Sequence, residues 1–315
     1  MTQPSTPQST TPSALPAGLT VLERGWLSSN NILIQGADNT ALIDSGYCAH
    51  APQTLALVST ALKGKPLQLL LNTHLHSDHC GGNAALQAAY LGLQTWIPPG
   101  LSQHVSRWDP YALSYTPTGQ SCPEFHFDAV LAPGTELLLG DCLWQVHAAP
   151  GHDPHSVILF EPLSRTLVSA DALWERGFGV VFPELDGDNA FDEVSDTLDL
   201  IEALRPAWVI PGHGCPFTDI AQALVVARQR LDAFLKHPER HVQYAAKVML
   251  KFKLLESQRL GRADLLAWAQ GTAYLTSMFR QVFADQPFEQ GLDRLVRDLV
   301  RSGAATLQGD LLHNA

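Results

Sequence analysis

No charge-free apolar run of the roughly twenty residues needed to span a bilayer occurs in this 315-residue chain, so a membrane helix is not expected. Cysteine is scarce, with five residues at 48, 80, 122, 142 and 215. The number is odd, the spacing wide, and no C-x-x-C pair is present. A disulfide scaffold and a cysteine zinc knuckle are therefore excluded, and a reducing compartment is the expectation. Basic charge is short as well. Twenty Lys and Arg stand against 31 Asp and Glu, a formal net charge of −11, which disfavours nucleic-acid wrapping or anchoring on an anionic membrane as the main task. The first sixteen residues lack the basic and apolar regions of a signal peptide. Rich in Thr, Pro, Ser and Gln, residues 1–16 are expected to form a disordered tail. What is there is an ordinary globular composition, 45% hydrophobic and 16% charged. The expectation is a soluble, cytoplasmic protein working on a small molecule.

Short apolar runs alternate with turn residues from Leu19 to Gly46: Thr20-Val21-Leu22, Asn31 to Ile34 and Thr40 to Asp44 predict a strand meander. Ala51 to Leu62 predicts a helix stopped by Gly64 and Pro66, and Leu67 to Leu71 a buried strand. Ala84 to Ala89 predicts a short helix, followed by an irregular stretch from Pro98 to Pro133. Strands are predicted at 143–148, 156–160, 166–169 and 207–210, with a helix over 190–204. Strands mixed with helices over about 200 residues indicate an α/β layered domain.

After Pro216 strands vanish from the pattern, and helices are predicted at about 217–236, 241–257, 262–269 and 289–302. The boundary is placed near 216–225, dividing a catalytic domain over 17–220 from a helical C-terminal domain over 221–315. From Pro216 on there are 13 Lys and Arg against 10 Asp and Glu, net +3; before it 7 stand against 21, net −14.

The sharpest feature follows the apolar strand 67–71: Asn72-Thr73-His74-Leu75-His76-Ser77-Asp78-His79-Cys80-Gly81-Gly82-Asn83. Three histidines and a carboxylate within six residues are a dense supply of ligands for Zn²⁺, Mn²⁺ or Fe²⁺. On a loop at a strand end, His74 and His76 can point one way while Asp78 and His79 turn toward a second point, which suits two adjacent metal ions. Further candidates stand at strand ends: His152 in Ala149-Pro150-Gly151-His152, Asp171 in Ser169-Ala170-Asp171, and His213 in Pro211-Gly212-His213-Gly214. Polar residues at the carboxyl ends of buried strands line one edge of a sheet.

In these motifs, and in their order from about Leu19 to Gly214, the chain resembles the metallo-β-lactamase fold superfamily of metal-dependent hydrolases. The resemblance implies an αββα sandwich. It places His74, His76 and His152 on one metal, Asp78, His79 and His213 on the other, and Asp171 between the two. Asp171 stands where the main class of zinc β-lactamases carries a cysteine, and those enzymes lack a counterpart of His79, so antibiotic hydrolysis is disfavoured. His76 stands where flavodiiron oxidoreductases carry a glutamate. The His-Cys-Gly-Gly-Asn continuation resembles hydroxyacylglutathione hydrolase, with no match after Pro216 to the residues that hold glutathione there.

The implied chemistry is hydrolysis. Two divalent ions, zinc first with Fe²⁺ or Mn²⁺ as alternatives, about 3.5–4 Å apart, activate a water for attack on a small thioester or ester-like carbonyl. Asp78 or Asp171 carries the proton. A lactonase and an RNA-cleaving phosphodiesterase are the alternative readings. Asp44 resembles the family's Asp after an early strand, which with Thr73 stands behind the ligands and orients them. Cys80 reads as a small buried hydrophobe.

Trp108, Tyr111 and Tyr115 in the insertion, and Phe178 with Phe182 just past Asp171, either wall a substrate pocket or pack loops onto the core. His155 either touches substrate or is an ordinary loop histidine. At the C-terminus, Leu295 to Val300, Gly303 and Ala305-Thr306-Leu307 look like a winged-helix-like unit, similar to the tail of the LACTB-type endoribonuclease branch. The basic residues Arg240, Lys247, Lys251, Lys253, Arg259 and Arg262 either meet phosphate or form a solvated face paired with its own acids. A homodimer through the helical part is left open.

Overall fold

The computed structural model describes residues 14–315. The tail expected over 1–16 lies outside the described residues except for its last three, of which Leu15 packs against the central core.

Period-two patterning builds two sheets. The first holds β1 (Leu19–Leu22), β2 (Asn31–Gln35), β3 (Thr40–Ile43), β4 (Leu69–Leu71), β5 (Gln94–Ile97) and β6 (Ala129–Val130) in chain order. It is antiparallel through β3 and parallel from there on. The second runs β11-β10-β9-β8-β7, with β7 (Glu136–Leu139), β8 (Cys142–Ala148), β9 (Val157–Glu161), β10 (Thr166–Ala170) and β11 (Trp208–Pro211); only β10 and β11 pair in parallel. Between the sheets Ile32, Ile34, Ile43 and Leu71 meet Trp144, Val146, Leu159 and Val168. The alternate residues Leu33, Leu42 and Leu70 face outward, where α1 (Ala51–Leu62) covers them with Val58 and Leu62.

Short helices occupy the connections: α2 (Ser77–Cys80), α3 (Asn83–Ala89), α4 (Ser102–Arg107), α5 (Tyr115–Thr118) and α6 (Phe182–Asp186). The stretch 98–133, expected to be irregular, thus carries α4, α5 and β6. On the outer face of the second sheet, α7 (Ala190–Leu204) and α8 (Ile220–Lys236) pack Phe191, Leu198, Ile201 and Leu231 onto Ile158, Leu167 and Val209. The layers are helix, sheet, sheet, helix.

Because α8 belongs to this core, the C-terminal share of the second core starts with α9 (Pro238–Ser257) rather than at 221, and Val180 and Leu185 from the earlier segment join it. There follow β12 (Arg259–Gly261), α10 (Arg262–Gly271), α11 (Ala273–Val282), α12 (Phe288–Arg301), β13 (Ala305–Gln308) and β14 (Leu311–Asn314). Strands therefore do return after Pro216. They are three or four residues long and form an antiparallel sheet in the order β12-β14-β13. Three helices stand between the first of these strands and the closing hairpin. Among the described residues no helix is long and apolar enough to cross a membrane.

One buried histidine joins the two cores. His241 of α9 sits against the rings of Phe191 and Phe234, and its Nε2 accepts the Val181 amide at 3.1 Å. Burial lowers its pKa to about 4.

Candidate metal centre

Five strand ends converge on one edge of the sandwich. Asp44 follows β3, the motif 72–83 follows β4, and His152, Asp171 and His213 follow β8, β10 and β11. The long motif is held by its own amides. Asn83 Nδ2 donates to Asn72 Oδ1 at 2.7 Å, Ser45 Oγ donates to Asn83 Oδ1 at 2.7 Å, and Asn72 Nδ2 donates to the His79 carbonyl at 3.2 Å. These bonds fix the turn that α2 makes, so that His74 and His76 lie on one side of it and Asp78 and His79 on the other.

The register of β10 and β11 slips between Val168 and Ala170, and Ala170 has a φ of 46°. A bulge at a strand end re-aims the next side chain, here Asp171. Backbone approach is tight around it. A Cβ on Gly212 would stand 2.2 Å from Asp171 Oδ1, and one on Gly179 would stand 2.4 Å from His152 Nδ1. Both positions need glycine for space rather than for conformation.

Three overlapping groups result: His74, His76 and His152; His74, His79 and Asp171; and Asp78, His79 and His213. Within each, one potential ligand atom per residue lies within 4.8 Å of the others. Asp171 Oδ2 is 3.4 Å from His152 Nε2 and 3.8 Å from His213 Nε2, and its Oδ1 is 3.5 Å from His79 Nε2. The carboxylate therefore reaches both outer groups. His213 Nε2 is 3.1 Å from Asp78 Oδ2.

The back sides of three rings, those of His74, His79 and His152, are engaged, whereas His213 Nδ1 is buried without a hydrogen-bond partner. His79 Nδ1 lies 2.8 Å from Asp44 Oδ2, and Asp44 also accepts the Thr73 amide at 2.9 Å and the Thr73 hydroxyl at 2.8 Å. Thr73 Oγ1 is in turn 3.1 Å from His74 Nδ1, and His152 Nδ1 donates to the Val180 carbonyl. The opposite nitrogens, Nε2 of His74 and of His79, are buried with no hydrogen-bond partner. Buried polar atoms are almost always satisfied. Two orphaned imidazole nitrogens beside aligned carboxylates, with their tautomers fixed from behind, fit divalent cations.

Electrostatics point the same way. Burial, and then the neighbouring His79, His76 and His152, push the His74 pKa well below its ordinary value. Burial and His76 lower His152 to about 4, against smaller opposing effects of Asp171 and Asp153. Burial works to raise Asp171, but His213, His79 and His152 outweigh it and hold the carboxyl well below the usual range. His74 and His152 are thus held neutral and Asp171 ionised, the forms that bind a cation, whereas at His79 burial is outweighed by Asp44, Asp171 and Asp78, which raise its pKa well above the ordinary value, so that this ring gives up its proton when a cation binds.

Seven expected ligand positions are brought together: His74, His76, Asp78, His79, His152, Asp171 and His213. Of the six expected pocket residues, Phe182 lines the central cavity and the other five do not. Phe178 is fully buried in the α7/α8 core against Phe234 and Arg230. Trp108 packs on Tyr115 and Phe125, and Tyr111 is exposed. His155 lies in an adjoining smaller cavity with Pro154, Asp186 and Tyr274, which shares His76 and Phe182 with the central one. The cavity at the centre, of about 400 Å³, is walled by Phe182 together with Trp26, Trp174 and α9. Trp26 stacks on His213 at 5.3 Å, and Trp174 Nε1 donates to Asp171 Oδ1 at 3.2 Å.

The family model described as the metallo-beta-lactamase superfamily matches residues 24–213. The chain belongs to the metallo-beta-lactamase superfamily. Within that superfamily, it is 31% identical over 147 residues to a hydroxyacylglutathione hydrolase from Anaeromyxobacter dehalogenans, covering 47% of each chain. It thus spans about half the length of this relative. A beta-lactamase domain protein from Burkholderia ambifaria shares the fold over 98% of both chains, with a TM-score of 0.59 and 19% identity. TTHA1623, crystallised in a di-iron-bound form, matches with a TM-score of 0.54 and 27% identity over 66% of this chain and 98% of that one. Superfamily membership and the His/Asp clusters together mark this edge of the sandwich as a candidate metal-binding centre.

Proposed function

We propose that the chain is a dinuclear metal-dependent hydrolase that cleaves a small thioester or ester-like carbonyl. The observation that carries this is the pair of buried, unpartnered imidazole nitrogens on His74 and His79, facing carboxylates that reach two histidine groups. His74, His76 and His152 would hold one ion; Asp78, His79 and His213 would hold the other, and Asp171 would serve both. Two such ions, zinc in the first place with Fe²⁺ or Mn²⁺ as alternatives, supply when bound an acidified water and a polarised carbonyl.

The remaining work falls to the chain. Asp44 and Thr73 keep the ligand rings in register, and Trp174 fixes the rotamer of Asp171 through its indole N–H. Asp78, with 15% of its side chain exposed, is the carboxylate closer to solvent and is placed to pass a proton to the leaving group; Asp171 is the other candidate for that role. The apolar walls exclude water from the carbonyl. Similarity to the hydroxyacylglutathione hydrolase supports a thioester substrate.

A small substrate is also favoured over RNA by the pairing of three of the six residues of the basic face. Lys251 is bonded to Ala304 and the C-terminal residues, Lys253 pairs with Glu256, and Arg262 pairs with Glu289 and Asp293. The test is thiol release from a panel of acyl thioesters, lactoylglutathione among them, by the metal-loaded protein. Turnover supports the reading. Silence across the panel, with both metals bound, contradicts it and shifts attention to lactones and single-stranded RNA.

A further inference from the structure

The cavity at the metal centre has two unlike halves. Its floor is the cluster His76, Asp78, His152, Asp171 and His213, whereas the facing wall comes from α9 of the C-terminal unit. Tyr244, Val248, Phe252 and Leu255 line it at steps of four, four and three residues. That spacing puts them on one helical face and lays an apolar stripe along the cavity.

Two lysines of the same helix also line it, one turn apart, and their circumstances differ. Lys251 Nζ is spent on Ala304 O at 2.6 Å, Asn314 Oδ1 at 2.6 Å and Ala315 O at 3.0 Å. Lys247, half-buried between Tyr244 and Val248, has no hydrogen-bond or ion-pair partner among the described residues. The two carboxylates that line the cavity, Asp78 and Asp171, face the histidines of the floor. A half-buried ammonium in an apolar wall is poorly solvated and lacks a counter-charge from the chain, so an anionic group on a bound molecule answers it.

We propose that the substrate is an apolar acyl compound carrying one anionic group, a carboxylate or a phosphate, with its chain on the α9 stripe and its anion paired to Lys247. Lys247 is then a specificity-determining residue. The inference rests on the hydrolase reading for its chemistry but not for its binding geometry, so the two are tested apart.

In the binding arm, 1-octanesulfonate and 1-octanol are titrated calorimetrically into the metal-loaded protein; a sulfonate is a weak metal ligand and reports on Lys247. Wild type is expected to bind the sulfonate at least about tenfold tighter than the alcohol. Lys247→Met is expected to lose that difference, and Lys247→Arg to keep it. Lengthening the sulfonate by one methylene is expected to tighten binding about fourfold while the stripe lasts. In the kinetic arm, the octanoyl thioester of N-acetylcysteamine is the neutral reference. An octanoyl thioester of 3-mercaptopropionate carries the anion on the thiol, and an 8-carboxyoctanoyl thioester of N-acetylcysteamine carries it on the acyl end. A KM advantage for either anionic substrate that vanishes in Lys247→Met supports the proposal and locates the anion.

Sulfonate binding that depends on Lys247 without any thioester turnover keeps this inference and refutes the thioesterase reading. Equal affinity of wild type for sulfonate and alcohol, or a preference that survives Lys247→Met, overturns the inference whatever the turnover.

Discussion

Asp44 Oδ2 and His79 Nδ1 lie 2.8 Å apart in the floor of the site, both side chains buried, and Asp44 holds its place with a φ of 58°. A left-handed conformation at a non-glycine residue costs about 1–3 kcal/mol and persists where surrounding contacts impose it. Here those contacts are the Thr73 amide and hydroxyl and the His79 ring. Asp44→Asn keeps the shape but removes the charge that fixes the His79 proton on Nδ1. Metal affinity is expected to fall about 10–100-fold, read by competition with a chelating dye. Unchanged affinity would show that the pair only stabilises the fold.

Gly212 faces Asp171 so closely that a methyl group has nowhere to go. An added Cβ would meet Asp171 Oδ1 at 2.2 Å and His79 Cε1 at 2.9 Å. Gly212→Ala is expected to move the carboxylate and lower kcat by about 10²-fold, the scale on which about 1 Å of misplacement acts. Wild-type turnover with an alanine there would mean that Asp171 is free to choose another position.

Phe178 and Phe182 are four residues apart and behave oppositely. Phe178 is buried among α7 and α8, so Phe178→Ala is expected to cost about 3–5 kcal/mol of stability in urea unfolding. Phe182 lines the cavity beside His76 and His152, so Phe182→Ala is expected to raise KM with a smaller loss of stability. The reverse pattern would contradict the placement of both rings.

His241 gives the protein an acid-sensitive joint. Burial holds its pKa at about 4, against about 6.5 in an unfolded chain, so the unfolded state takes the proton first. Its contribution to stability is complete above pH about 6.5 and is lost as the pH falls toward 4, on the order of 3 kcal/mol in all. His241→Gln retains an acceptor for the Val181 amide without titrating in this range. Urea midpoints measured from pH 7 to 4 are expected to fall more steeply for wild type than for His241→Gln. Parallel curves would show that His241 protonates without strain.

The metal motif was legible because its chemistry is local: donors crowd into six residues after an apolar strand, and each later candidate repeats the strand-end position. Helices such as Ala51–Leu62 and Ala190–Leu204 were legible through apolar periodicity and clear stops. Apart from Phe182, the pocket wall was not. Phe178 lies in a loop and Phe182 opens α6, a helix of five residues, so neither stands in a segment long enough to show a period. That α9 lies across the site depends on contacts between cores far apart in sequence, such as that of His241 with Val181. Strands β12 to β14, at three or four residues each, are too short to show a period.

The central claim is that seven side chains hold two ions through one shared carboxylate. Metal content per chain, measured on wild type and Asp171→Ala alongside thiol release, tests it most directly. Two ions in wild type, one or none in the variant, and thiol release only from wild type are the expected results. A variant that retains both ions and full turnover would contradict the bridging role of Asp171.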